Sequence, residues 1–124
     1  MTKVLVVDDE IPEQRHLSDI LYSSFSGSVT VQCADNGEEA VSQASLWNPD
    51  IILMDIEMPV MDGFEATMNI RKLPNRIRAN IPIIALTANA VPENRERATV
   101  VGMDDFLAKP TNSAQLLRSL AKLL

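Results

Sequence analysis

A chain of 124 residues sets a single domain, 1–124, long enough to bury about two-thirds of its unfolded surface. With 46% hydrophobic and 23% charged residues the balance is that of an ordinary globular fold, and no apolar run nears the ~20 residues of a membrane span. The net charge of −6 works against nucleic-acid binding, and a single cysteine, Cys33, excludes an internal disulfide and suits a reducing, cytoplasmic setting.

Taken in order, Lys3-Val4-Leu5-Val6-Val7 is a short apolar run that stops at Asp8-Asp9-Glu10, which predicts a buried strand ending in acid. Pro12 suits the first turn of a helix, whose apolar stripe is Leu17, Ile20, Leu21 and Phe25; Ser26-Gly27-Ser28 ends it. Val29 to Cys33 reads as strand, with Cys33 expected as a small buried hydrophobe. A turn at Asp35-Asn36-Gly37 leads into a helix with Glu38 and Glu39 at its electropositive start and Ala40, Ala44 and Trp47 on one face.

Ile51-Ile52-Leu53-Met54 is continuously apolar and ends at Asp55, the pattern of a strand buried on both faces of a parallel sheet. Pro59 and Asp62-Gly63 break regular structure before a helix from Phe64 to Lys72. Residues 73 to 80 read as a loop around Pro74. Ile81 to Leu86 is a strand that stops at Thr87, Pro92 to Val101 is a helix with little to offer a core, and Gly102 ends it. Phe106-Leu107-Ala108 is a last short strand before Lys109-Pro110. Asn112 or Ser113 caps a helix whose Leu116, Leu120, Leu123 and Leu124 share a stripe, with Leu117 or Leu124 left over for weak association.

The alternation is strand–helix five times over, which predicts an open, doubly wound parallel sheet with right-handed crossovers; a closed eight-fold barrel needs about twice the chain. In such a sheet the strands' carboxyl ends share one edge, so Asp8, Asp9, Asp55, Thr87 and Lys109 meet there. Adjacent carboxylates repel unless a proton or cation relieves them. Oxygen ligands with no nearby His or Cys favour a hard cation, Mg²⁺ before Ca²⁺ or Zn²⁺. Carboxylates, metal, a lysine and a hydroxyl together describe phosphoryl transfer onto an aspartate.

The motifs Val6-Val7-Asp8-Asp9-Glu10, Leu53 through Gly63 (reading LMDIEMPVMDG), Ile83-Ile84-Ala85-Leu86-Thr87-Ala88 and Phe106-Leu107-Ala108-Lys109-Pro110 resemble the response-regulator receiver domain of two-component signalling, and the likeness covers essentially the whole chain. The segment Ala85 to Ala90 is similar to receivers of hybrid sensor kinases. The resemblance implies a sheet order 2-1-3-4-5 and Asp55 as phosphoacceptor, supplied by a histidine kinase or histidine phosphotransfer protein. It implies Mg²⁺ on the carboxylates of Asp9 and Asp55 and the Glu57 backbone carbonyl, with Asp8 acting through water. Lys109 and Thr87 would contact the phosphoryl oxygens, and Phe106 would change rotamer. The Lys109–Pro110 bond would be cis.

Glu57 and Asn89, each two residues past a site residue, are expected to overhang the phosphoryl group and tune its lifetime. A carboxylate at Glu57 would repel the hydrolytic water or reach the metal. Two other readings compete: a haloacid-dehalogenase-like phosphatase, whose second aspartate is replaced here by Glu57, and a receiver-like binding module that works unphosphorylated. Singly, Thr87 reads as a helix cap, Lys109 as a solvated lysine and His16 as an incidental surface residue.

Overall fold

The structure, a computed structural model, describes residues 1–124. Five strands, β1 (Thr2–Val7), β2 (Val29–Ala34), β3 (Ile51–Asp55), β4 (Ile83–Thr87) and β5 (Asp105–Ala108), form one parallel sheet in the order β2-β1-β3-β4-β5. Six helices follow or connect them: α1 (Ile11–Phe25), α2 (Gly37–Trp47), α3 (Gly63–Arg71), α4 (Arg76–Ala79), α5 (Pro92–Val101) and α6 (Ser113–Leu123). No helix is long and apolar enough to cross a membrane.

Strand periodicity divides the core in two. Val4, Val6, Ile51, Leu53, Ile84 and Leu86 point to the face covered by Leu17 and Leu21 of α1 and Leu116 and Leu120 of α6. Their neighbours Leu5, Val7, Ile52, Met54, Ile83 and Ala85 point the other way, against Ala40 and Ala44 of α2, Phe64, Ala66 and Ile70 of α3, and Ala98 of α5. The small alanines let α2 approach the sheet closely. Every residue of β3 and β4 is buried, which fixes the strands whose ends carry Asp55 and Thr87.

Three local expectations are corrected. The segment read as a loop contains the short helix α4, started by Asn75, whose side chain accepts from the N–H groups of Ile77 and Arg78. Cys33 is exposed: β2 is an edge strand in which only Val29 and Ala34 are buried, and the Cys33 thiol lies near the Ser18 hydroxyl. The fourth strand starts at Ile83 because Pro82 has no N–H for the ladder, although its carbonyl accepts from the Ile52 N–H at 2.9 Å. Asn112, not Ser113, caps α6, accepting from the Gln115 N–H at 2.8 Å.

α5 is held unlike its neighbours. Ala98 is its one buried residue. The Arg95 guanidinium lies 4.7 Å from the Phe106 ring centre and that of Arg97 lies 4.5 Å from Phe64, so two cations roof the aromatic edge of the core.

Val60, in the loop between β3 and α3, has φ of 67° and is 97% exposed. A β-branched residue in the left-handed region is strained by Cβ crowding, and here no packing offsets it. Val60→Gly should therefore raise stability by about 1 kcal/mol, the relieved strain outweighing glycine's extra unfolded-state entropy. Urea denaturation checks this; an unchanged midpoint would contradict the strain.

Candidate functional site

The carboxyl edge of the sheet brings together the residues expected there. β1 ends at Val7, so Asp8 and Asp9 follow directly; Asp55 and Thr87 close β3 and β4, and Lys109 follows β5. Asp8, Asp55 and Thr87 are buried, whereas Asp9 is exposed. Carboxylate oxygens of Asp8, Asp9 and Asp55 all lie within 4.8 Å of one another.

Hydrogen bonds fix these groups. Lys109 Nζ lies 2.9 Å from Asp8 Oδ2 and 3.4 Å from Asp55 Oδ1, so one ammonium spans two buried carboxylates. Asp8 Oδ1 accepts from the Glu10 N–H at 2.9 Å, and Asp55 Oδ1 accepts from the Glu57 N–H at 3.0 Å. The Lys109–Pro110 bond is cis, as the resemblance implies. The Lys109 N–H donates to the Thr87 carbonyl at 2.7 Å, tying the ends of β4 and β5.

One lysine does not balance the acids. Burial first, and the Asp8 charge second, push the Asp55 carboxyl up to about 7, with Lys109 opposing. The Lys109 ammonium is raised: burial pulls it down, but its contacts with Asp8 and Asp55 outweigh that. Three carboxylates beside one ammonium can accept further positive charge. The all-oxygen donor set fits a hard divalent cation.

Glycine makes the edge compact. A Cβ on Gly63 would stand 2.5 Å from the Asp55 carbonyl oxygen and 2.8 Å from Ile56 Cα, so α3 begins against the end of β3 only because residue 63 has no side chain. The Asp62 side chain caps that helix through the Glu65 N–H at 2.9 Å. The pair first read as a break is thus a cap followed by a close-approach glycine.

Glu57 turns toward the end of β4. Its exposed carboxylate accepts the Thr87 hydroxyl on Oε2 and the Ala88 N–H on Oε1, the latter at 2.9 Å. The Asn89 N–H donates to Thr87 Oγ1 at 2.9 Å, and the Asn89 residue is exposed. Phe106 is buried beneath Arg95. His16 is exposed, with Nε2 2.8 Å from the Thr111 carbonyl, away from the acids.

Gln14 was missed. It is buried on α1, and its Nε2 donates to the Asp8 carbonyl at 2.8 Å and to Asp35 Oδ1 at 2.7 Å, pinning the first acidic loop to the end of β2. The signal was available: Gln14 precedes Leu17 and Leu21 at i, i+3 and i+7, so it falls on the buried stripe of its helix.

Comparison with known proteins agrees with this edge. The family model of the response regulator receiver domain matches residues 4–121. Hybrid signal transduction histidine kinase B of Dictyostelium discoideum is 36% identical over 97% of this chain, which spans only 6% of that kinase's length. Chemotaxis protein CheY4 of Vibrio cholerae superposes with a TM-score of 0.88 at 34% identity, covering 100% of this chain and 99% of its own. The receiver domain of sensor histidine kinase PA1611 of Pseudomonas aeruginosa PAO1 superposes with a TM-score of 0.87 at 38% identity, covering 98% and 96% of the two chains. That structure has a magnesium ion coordinated in its active-site cleft. The family match, the 2-1-3-4-5 sheet and the acid–lysine edge agree: this chain belongs to the response regulator receiver domains of two-component signalling.

Proposed function

We propose that the domain, residues 1–124, accepts a phosphoryl group on Asp55 from the phosphohistidine of a histidine kinase or histidine phosphotransfer protein. One observation carries this reading: a buried carboxylate on a rigid strand end has an ammonium 3.4 Å away and two further carboxylates beside it. An Asp55 oxygen forms the new O–P bond, the P–N bond to the donor imidazole breaks, and its electron pair stays on that nitrogen. Lys109 offsets charge on the phosphoryl oxygens and the Thr87 hydroxyl donates to one of them.

Asp9, Asp55 and the Glu57 backbone carbonyl are the residues that would hold Mg²⁺, with Asp8 acting through water because both its oxygens already have partners. The cation supplies neutralising charge to the phosphoryl oxygens. The acylphosphate adds roughly −1.5 to −2 charge at the sheet edge. The face it switches is α5, β5 and α6, with Phe106 as the moving aromatic; the sparse burial of α5 supports that reading. Slow self-dephosphorylation returns the domain to rest. The donor docks beside Glu10, Ile11 and Pro12, where exposed Ile11 borders the acidic loop. The domain acts in the cytoplasm, without nucleic acid, as a monomer or weak dimer; Leu124, 57% exposed, is one of several exposed apolar residues available for association.

Acetyl phosphate with Mg²⁺ should give one hydroxylamine-labile +80 Da adduct by intact mass (roughly one phosphoryl group), abolished by Asp55→Asn. Sustained turnover of phosphate esters would instead favour a phosphatase, and absence of any adduct a binding module that works unmodified.

A further inference from the structure

Thr87 and Ala88 are the donors at the end of β4, and a single side chain consumes both. Glu57, reaching across from the loop after β3, accepts the Thr87 hydroxyl and the Ala88 N–H on its two carboxylate oxygens. Thr87 Oγ1 is in turn the acceptor for the Asn89 N–H, so the start of the loop into α5 is tied to Glu57 through residues 87, 88 and 89. A hydroxyl has one proton and an amide has one. Neither can serve Glu57 and an anion on Asp55 together at full strength. The remaining donors beside Asp55 are differently placed: Lys109 already spans Asp8 and Asp55, and the Glu57 N–H is given to Asp55 itself.

We propose that the Glu57 carboxylate is an internal stand-in for the phosphoryl group. It occupies the Thr87 hydroxyl and the Ala88 N–H while Asp55 is unmodified, and phosphorylation must expel it. This rests on Asp55 being the phosphoacceptor. The chemistry of the two occupants is alike: each presents anionic oxygens in pairs, and charge-assisted acceptance is stronger than neutral acceptance. Expulsion is feasible because Glu57 is exposed and can turn to water without leaving a buried charge. Glu57 is therefore a positioning residue. It keeps the loop after β4 drawn toward the site at rest, and it weakens the domain's hold on any phosphoryl group by competing for the same protons.

The competition predicts which variants bind a phosphoryl analogue better. Glu57→Gln keeps the length but turns an NH₂ group toward one of the two donors, so it loses the paired acceptance. Glu57→Asp keeps the charge but is one methylene too short to span both donors. With Mg²⁺ and trifluoroberyllate, measured by calorimetry, both variants should bind roughly five- to thirty-fold more tightly than the wild type, the size of one or two ordinary net hydrogen bonds released from competition at an exposed site. Mere charge repulsion would tighten binding only for Glu57→Gln, and that result would overturn the clamp. A second readout needs neither ligand nor metal. The Ala88 amide proton should resonate downfield in the wild type and move upfield in both variants; an Ala88 resonance unmoved by Glu57→Gln would also overturn it. If neither the wild type nor the variants bind trifluoroberyllate, the phosphoacceptor reading fails instead, while the Ala88 resonance still reports whether Glu57 holds the loop.

Discussion

At pH 7.5 without divalent metal, Asp55→Asn is expected to be about 2–4 kcal/mol more stable than the wild type, and the gain should nearly vanish at pH 4. The Asp55 carboxyl is pushed up to about 7 in the folded protein, by burial and then by Asp8, whereas an unfolded aspartate titrates near 3.9. Between these two values the folded protein keeps a proton that the unfolded chain has released. Stability therefore falls as pH rises from about 4 to about 7, and levels off above. Asparagine has the shape of the protonated acid and never ionises, so it escapes this loss. Urea denaturation of both proteins at pH 4, 5.5 and 7.5 checks the prediction, and a difference independent of pH would refute it. The proposed function would thus work against stability at β3: the carboxylate proposed to accept the phosphoryl group is one the fold would be more stable without.

Arg71→Ala should cost about 2–4 kcal/mol at neutral pH, although Arg71 lies outside the acidic edge. Its Nη1 donates to the carbonyls of Ala79 at 2.9 Å and Ile81 at 2.8 Å. Nε and Nη2 donate to the Gly102 carbonyl at 3.1 and 2.7 Å, and Nη2 also reaches Asp104 Oδ2 at 3.1 Å. One planar fork therefore satisfies the end of α4, the approach to β4 and the left-handed end of α5. Truncation leaves three carbonyls without this partner in a half-buried setting. Arg71→Lys should recover less than half of the loss, because a single ammonium cannot face carbonyls on three segments. Urea denaturation measures both; a loss below about 0.5 kcal/mol for alanine would place Arg71 among ordinary surface residues.

The contrast between Asp55 and Arg71 explains what could be read from the residues alone. Asp55 announces itself because an apolar run ends on it, and β1, β4 and β5 repeat that pattern with Asp8, Thr87 and Lys109. Parallel pairing then brings the strand ends to one edge with no further information. Arg71 announces nothing, since its acceptors are mostly backbone carbonyls, which every residue has, and they lie 8 to 31 residues away. Short α4 was illegible for a related reason: four residues show no periodicity, and Asn75 as a cap looks like any loop asparagine. The strand pattern predicts an inner position for Cys33, but β2 lies at the sheet's edge, which the pattern does not encode. For Glu57, position in the chain located the residue but not its partners. Two donors on another strand's end decided where its carboxylate went.

The attachment of α5 has a thermodynamic consequence. Heat-capacity changes follow the apolar area exchanged with water. Ala98 is the only apolar side chain α5 buries fully, and the rest of its hold on the domain includes two guanidinium groups resting on aromatic rings. Were this helix to slide across Phe64 and Phe106 as proposed, it would trade one polar roof for another and wet little hydrocarbon. The repositioning proposed for it would therefore be nearly silent in heat capacity, so its enthalpy would hold almost constant with temperature and its van't Hoff plot would stay close to straight.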